Sequence, residues 1–168
     1  IENFTKRFPF SFTNAQNRAI RGILEDFRKG VPMARLLEGD VGSGKTAVAA
    51  STAYAVITSR PKDQNYGTLQ VAYMAPTEIL ARQHFASFSA LFGKSYLKIG
   101  LVTGSECKVY PSKAFANAPA HISRAQLEKW AASGDISILI GTHALIAKGF
   151  SFKKLGLIIV DEQHRFGV

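Results

Sequence analysis

Gly39-Asp40-Val41-Gly42-Ser43-Gly44-Lys45-Thr46 follows the pattern G-x-x-x-x-G-K-T. The apolar run Met33-Ala34-Arg35-Leu36-Leu37 precedes it and Ala47-Val48-Ala49-Ala50 follows. This succession predicts a buried strand over 33–37, a loop, and a helix over 45–59. Glycines let the backbone turn its N–H groups inward as a nest for oxyanions. The following helix adds the positive end of its dipole. Lys45 has the reach to meet terminal phosphates, and the Thr46 hydroxyl suits Mg²⁺, a hard cation that prefers oxygen. The plain alternative is an incidental glycine-rich turn. The four specified positions and their flanks favour a nucleotide-phosphate loop comprising Gly39, Asp40, Val41, Gly42, Ser43, Gly44, Lys45 and Thr46.

The bulk properties restrict the rest. A chain of 168 residues with 46% hydrophobic content has the size and composition of one globular domain. The net charge is +9, which favours a polyanionic partner through phosphate neutralisation; a merely solvated basic surface is the alternative. No apolar run reaches membrane-spanning length, so no membrane partner is expected. Cys107 is the sole cysteine, which excludes an internal disulfide and points to a reducing, cytoplasmic setting. The four histidines show no metal-ligand spacing. The chain opens on Ile1 without signal-peptide features, and the expectation is a fragment of a longer protein.

Along the chain, residues 1–12 carry Phe4, Phe8, Phe10 and Phe12 around Pro9 and read as extended. Thr13 and Gln16 have capping-box spacing at the head of a helix that stops near Lys29-Gly30. Gln16 has a second reading, as a reader of an adenine edge with a phenylalanine stacked on the base. Strands are expected over 68–74, 98–103, 136–140 and 155–160, and helices after Thr77 and Ser123. Residues 104–122, with Pro111 and Pro119, show no period and read as a long loop or partly helical insertion. Alternating strands and helices, with continuous Val/Ile/Leu strands, predict an α/β fold: a doubly wound parallel sheet with helices on both faces. Ligands of such sheets sit beyond the carboxyl ends of the strands. The phosphate loop, Thr77, Thr103, Thr142 and Asp161 all fall at expected strand ends.

Asp161-Glu162 follows Ile158-Ile159-Val160, so two carboxylates emerge where a buried strand is expected to end. Asp161 suits the water shell of Mg²⁺, and Glu162 suits orienting or deprotonating an attacking water. A solvated turn would explain the dipeptide alone; downstream of a phosphate loop, the catalytic reading is stronger.

The phosphate loop, Ala75-Pro76-Thr77-Glu78-Ile79-Leu80-Ala81, Gly141-Thr142-His143-Ala144-Leu145-Ile146 and Asp161-Glu162-Gln163-His164-Arg165-Phe166-Gly167-Val168 occur in that order. Together they closely resemble the superfamily-two DEAD/DExH helicases and, within them, the bacterial RecG family of ATP-dependent DNA helicases. The transcription-repair coupling factors are the nearest competitor. The resemblance implies a P-loop NTPase (RecA-like) lobe spanning residues 1–168, using ATP and Mg²⁺ and acting on branched DNA in recombination and fork repair. It implies adenine recognition by Phe12 and Gln16, and catalytic roles for Lys45, Asp161 and Glu162. It implies backbone contacts to DNA, branched or single-stranded, by Thr77, Arg82, Thr103, Gly104 and Thr142. Gln163 and His164 would couple the nucleotide site to DNA and to a second lobe. The family's second RecA-like lobe, with its arginine finger, and its wedge domain lie outside this chain. The expectation is that the 168 residues alone bind ATP weakly, turn it over poorly and do not unwind DNA. Two other classes compete: a nucleotide-gated DNA-binding module without turnover, and a small-molecule P-loop kinase or GTPase. The latter is disfavoured by the absence of a guanine-reading Asn-Lys-x-Asp.

Overall fold

The computed structural model describes residues 2–59, 69–93, 95, 97–112, 118–146 and 150–162. It forms two compact units, Ile1–Ala55 and Val56–Val168.

The first unit contains α1 (Glu2–Thr5), α2 (Asn14–Arg28) and most of α3 (Lys45–Thr58). The amino-terminal stretch, expected to be extended throughout, begins with the short α1. Phe4 is buried there, its ring stacked on Tyr54 at 4.3 Å. Phe8 meets Phe4, Phe10 and Phe12 at centroid distances of 5.8, 5.6 and 5.1 Å, so the aromatic run condenses into one cluster. Helix α2 starts with the expected capping box: the Thr13 side chain accepts from the Gln16 N–H at 3.2 Å, and Gln16 Oε1 accepts from the Thr13 N–H at 2.9 Å.

The strand expected over 33–37 does not form. Among the described residues this run has no ladder partner, and Leu36 is 71% exposed. Arg35 interrupts the apolar run, and its guanidinium is bound to Asp26 of α2, with Nε donating at 3.0 Å. An apolar run supplies side chains for a strand but not the neighbour whose hydrogen bonds make it one.

The second unit is built on a sheet. Among the described residues its strands are β1 (Gln70–Met74), β2 (Ile99–Val102), β3 (Cys107–Tyr110), β4 (Ala120–His121), β5 (Ile138–Gly141) and β6 (Leu155–Val160), in the order β4-β3-β2-β5-β1-β6. The pairs β1·β5, β1·β6 and β2·β5 are parallel, whereas β2·β3 and β3·β4 are antiparallel. The expected parallel sheet is present as β2-β5-β1-β6, and an antiparallel edge of β3 and β4 extends it. Its antiparallel edge comes from the stretch expected to be irregular, where Cys107–Tyr110 turns back along β2 with Val102 opposite Cys107.

Helix α4 (Glu78–Phe92) and helix α5 (Arg124–Ser133) cover opposite faces. Successive strand residues point to opposite sides. Leu101 lines a cavity of about 440 Å³ with Phe85, Ala86 and Ser89 of α4. A Cβ placed on the preceding Gly100 would lie 2.8 Å from Leu127 Cδ1 of α5. Val102, Leu127, Ala131, Ile136 and Leu139 form the buried cluster on the α5 side, with Trp130 and Phe152 packed against it. Strands β2 and β5 are buried along their whole length, but β6 lies at the sheet edge and leaves Ile158 59% exposed. Ser123 caps α5, its hydroxyl accepting from the Gln126 N–H at 3.2 Å. Ser123→Ala is expected to lower unfolding free energy by about 1 kcal/mol in urea melts, the usual worth of an N-cap. An unchanged midpoint would mean that the cap contributes nothing.

Candidate functional site

The phosphate loop is set by its glycines. Gly42 and Gly44 have φ values of 81° and 80°, a region that a side chain disfavours. Between them Ser43 N–H donates to Asp40 O at 3.1 Å, closing the turn. Helix α3 opens directly at Lys45, and the Ala47 and Val48 N–H groups donate to Gly44 O at 2.9 and 3.2 Å. Lys45 Nζ donates to Gly39 O at 2.7 Å and Asp40 O at 2.9 Å, so the ammonium is folded over its own loop. Thr46 occupies the first turn of α3, while Val41 is fully exposed at the tip of the loop.

Gln16 reaches this loop. Its Nε2 donates to Ser43 O at 2.8 Å while its Oε1 serves the α2 cap. Both ends of the amide are thus engaged, and Gln16 joins α2 to the phosphate loop. Phe12 lies apart from that bond, in a cavity of about 540 Å³ lined also by Phe8, Phe10, Ser11 and Asn17.

In the second unit, parallel pairing brings Thr77, Thr103, Thr142 and Asp161 to one edge of the sheet, just beyond β1, β2, β5 and β6. The three threonine hydroxyls are largely engaged in shaping the backbone. Thr77 Oγ1 accepts from Leu80 N–H at 3.2 Å and caps α4. Thr103 Oγ1 accepts from the N–H groups of Ser105 and Glu106 at 3.3 and 3.1 Å. Thr142 Oγ1 accepts from Ala144 N–H at 3.4 Å, at the head of a 3-10 turn over His143–Leu145. Thr103 and Thr142 are each only 2% exposed, whereas Thr77 and Gly104 are exposed.

Arg82 is held by carboxylates. Its Nε donates to Glu106 Oε1 at 2.5 Å, and its Nη2 to Glu78 Oε2 at 3.1 Å and to Ser105 Oγ at 2.8 Å. Lys108 Nζ lies 2.7 Å from Glu106 Oε2. Hydrogen bonds from Lys108 and then Arg82 hold the Glu106 carboxyl below the usual glutamate range, against the opposing effect of burial. A depressed carboxylate contributes stability above its unfolded-state value and loses it as pH falls through the folded-state value. Acidification from about pH 5 toward pH 3 should therefore lower the thermal midpoint of the wild type more steeply than that of Glu106→Gln. Equal pH slopes in the two proteins would remove Glu106 from the account.

Asp161 ends β6, its N–H donating to Met74 O at 2.8 Å. His84 Nε2 lies 2.8 Å from Asp161 Oδ2. That bond, foremost, holds the Asp161 carboxyl below the usual range although burial opposes it. The Tyr73 hydroxyl is pushed up, by burial first and by the Asp161 charge next. Glu162 has φ 47°, a left-handed conformation uncommon for a residue with a side chain and often kept at working sites. Gln163 and His164 lie outside the described residues.

His84 and Tyr73 are functional candidates that the sequence reading missed. The available signal was a polar residue on the apolar stripe of α4, between Ala81 and Phe85. For Mg²⁺, the Thr46 hydroxyl and the Asp161 and Glu162 carboxylates are hard oxygen donors of the right kind. Among the described residues no three of His, Cys, Asp and Glu gather into a metal cage. Among the described residues no helix is long and apolar enough to cross a membrane.

Residues 13–168 match the family model of the DEAD/DEAH box helicases. The ATP-dependent DNA helicase RecG of Aquifex aeolicus is 46% identical over 97% of this chain and 18% of its own length. RecG of Bacillus subtilis is 47% identical over the whole chain and 22% of its length. A structure of RecG bound to a three-way DNA junction superposes with a TM-score of 0.74 at 39% identity, covering 99% of this chain and 20% of that one. A structure of yeast Dbp5, at 19% identity and a TM-score of 0.61, shares the fold. The chain thus spans about one fifth of the length of the RecG relatives it matches. Matched from Thr13 through the acidic motif to Val168, the chain belongs to the DEAD/DEAH box helicase family.

Proposed function

We propose that this chain is the ATP-binding motor lobe of an ATP-dependent DNA helicase or translocase that acts on branched DNA. The observation that carries the reading is the phosphate loop, with left-handed Gly42 and Gly44 delivering Lys45 and Thr46 onto the start of α3. Exchange of Lys45 from the carbonyls of Gly39 and Asp40 to nucleotide phosphates replaces neutral acceptors by ionised ones, so that the ammonium's hydrogen bonds become ion pairs. Thr46 would hold Mg²⁺ through its hydroxyl, Asp161 would face the cation's bound waters, and Glu162 would orient the attacking water. Mg²⁺ supplies neutralisation of the charge that develops on the phosphates. Phe12 and Gln16 meet the adenine side of the nucleotide; Gln16 does so while tied to Ser43, which links base occupancy to the phosphate loop.

Thr77, Gly104 and the backbone around Thr103 and Thr142 meet DNA phosphates, which position a strand without reading its sequence. Arg82 joins them by exchanging a carboxylate partner for a phosphate. Gln163 and His164 carry the coupling to a second RecA-like lobe, and a wedge domain of the same parent chain grips the branch.

The test uses the full-length protein that carries this chain. ATP turnover should rise at least about tenfold with branched DNA, and DNA affinity should fall steeply with salt. Turnover indifferent to DNA, with no salt-sensitive DNA binding, would reject the motor reading.

A further inference from the structure

The Asp161 carboxylate is held by a side chain of α4 in its own unit. His84, in the middle of α4 and 8% exposed, places Nε2 2.8 Å from Asp161 Oδ2. Tyr73, on β1 and 2% exposed, packs beside this pair, and the Asp161 charge helps to push its hydroxyl up. The two rings lie against each other with centroids 4.7 Å apart, and Phe88 closes on Tyr73 at 5.4 Å. The imidazole is therefore locked by packing before it meets the carboxylate. An ionised carboxylate only accepts, so the imidazole carries a proton on Nε2. A carboxylate offers about four lone-pair positions, and this bond leaves others for solvent-side partners. Without it the side chain, at 23% exposure, would be freer to turn about its χ angles.

We propose that His84 is a positioning residue for nucleotide turnover: its Nε2–H, held in place by the packed ring of Tyr73, fixes the orientation of the Asp161 carboxylate that would face the water shell of a nucleotide-bound cation. The inference rests on the ATP-site reading above. Partners that orient a metal-facing ligand are commonly worth 10- to 100-fold in metal affinity or activity. A polar side chain merely satisfied in a buried stripe would be worth stability alone.

Two measurements on the full-length protein separate these. One is steady-state ATP turnover; the other is equilibrium binding of a fluorescent ATP analogue, in EDTA and in Mg²⁺. His84→Ala is expected to lower kcat roughly 10- to 100-fold with KM within about threefold, and to shrink the affinity gained on adding Mg²⁺ at least about fivefold. Affinity in EDTA should be unchanged. His84→Gln, whose amide nitrogen donates from nearly the reach of Nε2, should recover kcat to within about threefold of wild type. If His84→Ala does not fold, His84→Asn, with its shorter amide, takes its place and should show the same losses. Wild-type kcat and a wild-type Mg²⁺ gain in the truncated variant overturn the proposal. So does a loss shared equally by EDTA affinity, Mg²⁺ affinity and the glutamine variant, which would make His84 a packing residue. Wild-type nucleotide binding indifferent to both Mg²⁺ and Lys45→Ala rejects the ATP-site reading itself, and this inference with it.

Discussion

Replacing Lys45 with alanine is expected to lower ATP turnover of the full-length protein by about two to three orders of magnitude, the usual cost of removing a charge that stabilises a phosphoryl-transfer transition state. Lys45 has two tasks that the substitution removes together. Its ammonium bridges Gly39 O and Asp40 O at 2.7 and 2.9 Å, bracing the first turn of the loop. On the proposed function it is also the cation that meets the nucleotide phosphates. The brace is at the surface, so its loss should change global stability by no more than about 1 kcal/mol. The loop's shape is independently secured by left-handed Gly42 and Gly44 and by the Gln16 bond to Ser43 O at 2.8 Å. A fold retained with turnover lost is therefore the expected combination. Lys45→Arg should not restore turnover, because a planar fork does not substitute for a compact point charge inside a closed loop. Turnover within about threefold of wild type in the alanine variant, with melts unchanged, would mean that the phosphate loop is not where catalysis occurs.

What the sequence made legible, and what it hid, follow from the range of the interactions involved. Local chemistry was readable. The capping box of Thr13 and Gln16 and the phosphate-loop glycines both depend on neighbours a few residues away. Strands β1, β2, β5 and β6 were readable because each is a continuous run of residues that suit burial in a sheet. The run over 33–37 looked the same but lacked a ladder partner among the described residues, and Arg35 turned instead to Asp26. The antiparallel edge was hidden because β3 and β4 are four and two residues long, too short for a period to declare itself.

The partners of Arg82 and Asp161 were hidden for a different reason. Glu106 lies 24 residues from Arg82, and His84 lies 77 residues from Asp161, so only the folded sheet edge brings them together. The sequence identified which side chains carry charge at that edge. It did not show that Arg82 is already committed to two carboxylates, which changes its proposed DNA role from a waiting cation to one that must exchange partners.

Gly141→Ala is expected to cost about 2–3 kcal/mol of unfolding free energy, a large effect for one methyl group. Gly141 closes β5, where β5 lies parallel to β2 with Gly141 opposite Val102. A Cβ at this position would overlap the Val102 carbonyl oxygen and stand 2.8 Å from Val102 Cγ1 and 3.0 Å from Leu145 Cγ. The obstacle is space rather than dihedral angle, since Gly141 is not among the positive-φ glycines. The nearest atom belongs to backbone in a buried strand, so it cannot rotate aside; the two strands must separate or the chain after β5 must shift. Gly100→Ala is the informative contrast. Its added carbon would meet Leu127 Cδ1 and Leu139 Cδ1 at 2.8 Å each, the far ends of side chains that can change rotamer. Gly100→Ala should therefore cost less, about 1–2 kcal/mol. Gly141 also immediately precedes Thr142, whose hydroxyl caps the 3-10 turn at the candidate DNA edge. A shift large enough to relieve the clash would move that cap, so DNA affinity of the full-length protein should fall in Gly141→Ala even at temperatures where it remains folded. Urea melts of the two variants decide the packing argument. If Gly141→Ala unfolds within about 0.5 kcal/mol of wild type, or proves more stable than Gly100→Ala, the close approach of β5 to β2 is not what requires glycine there.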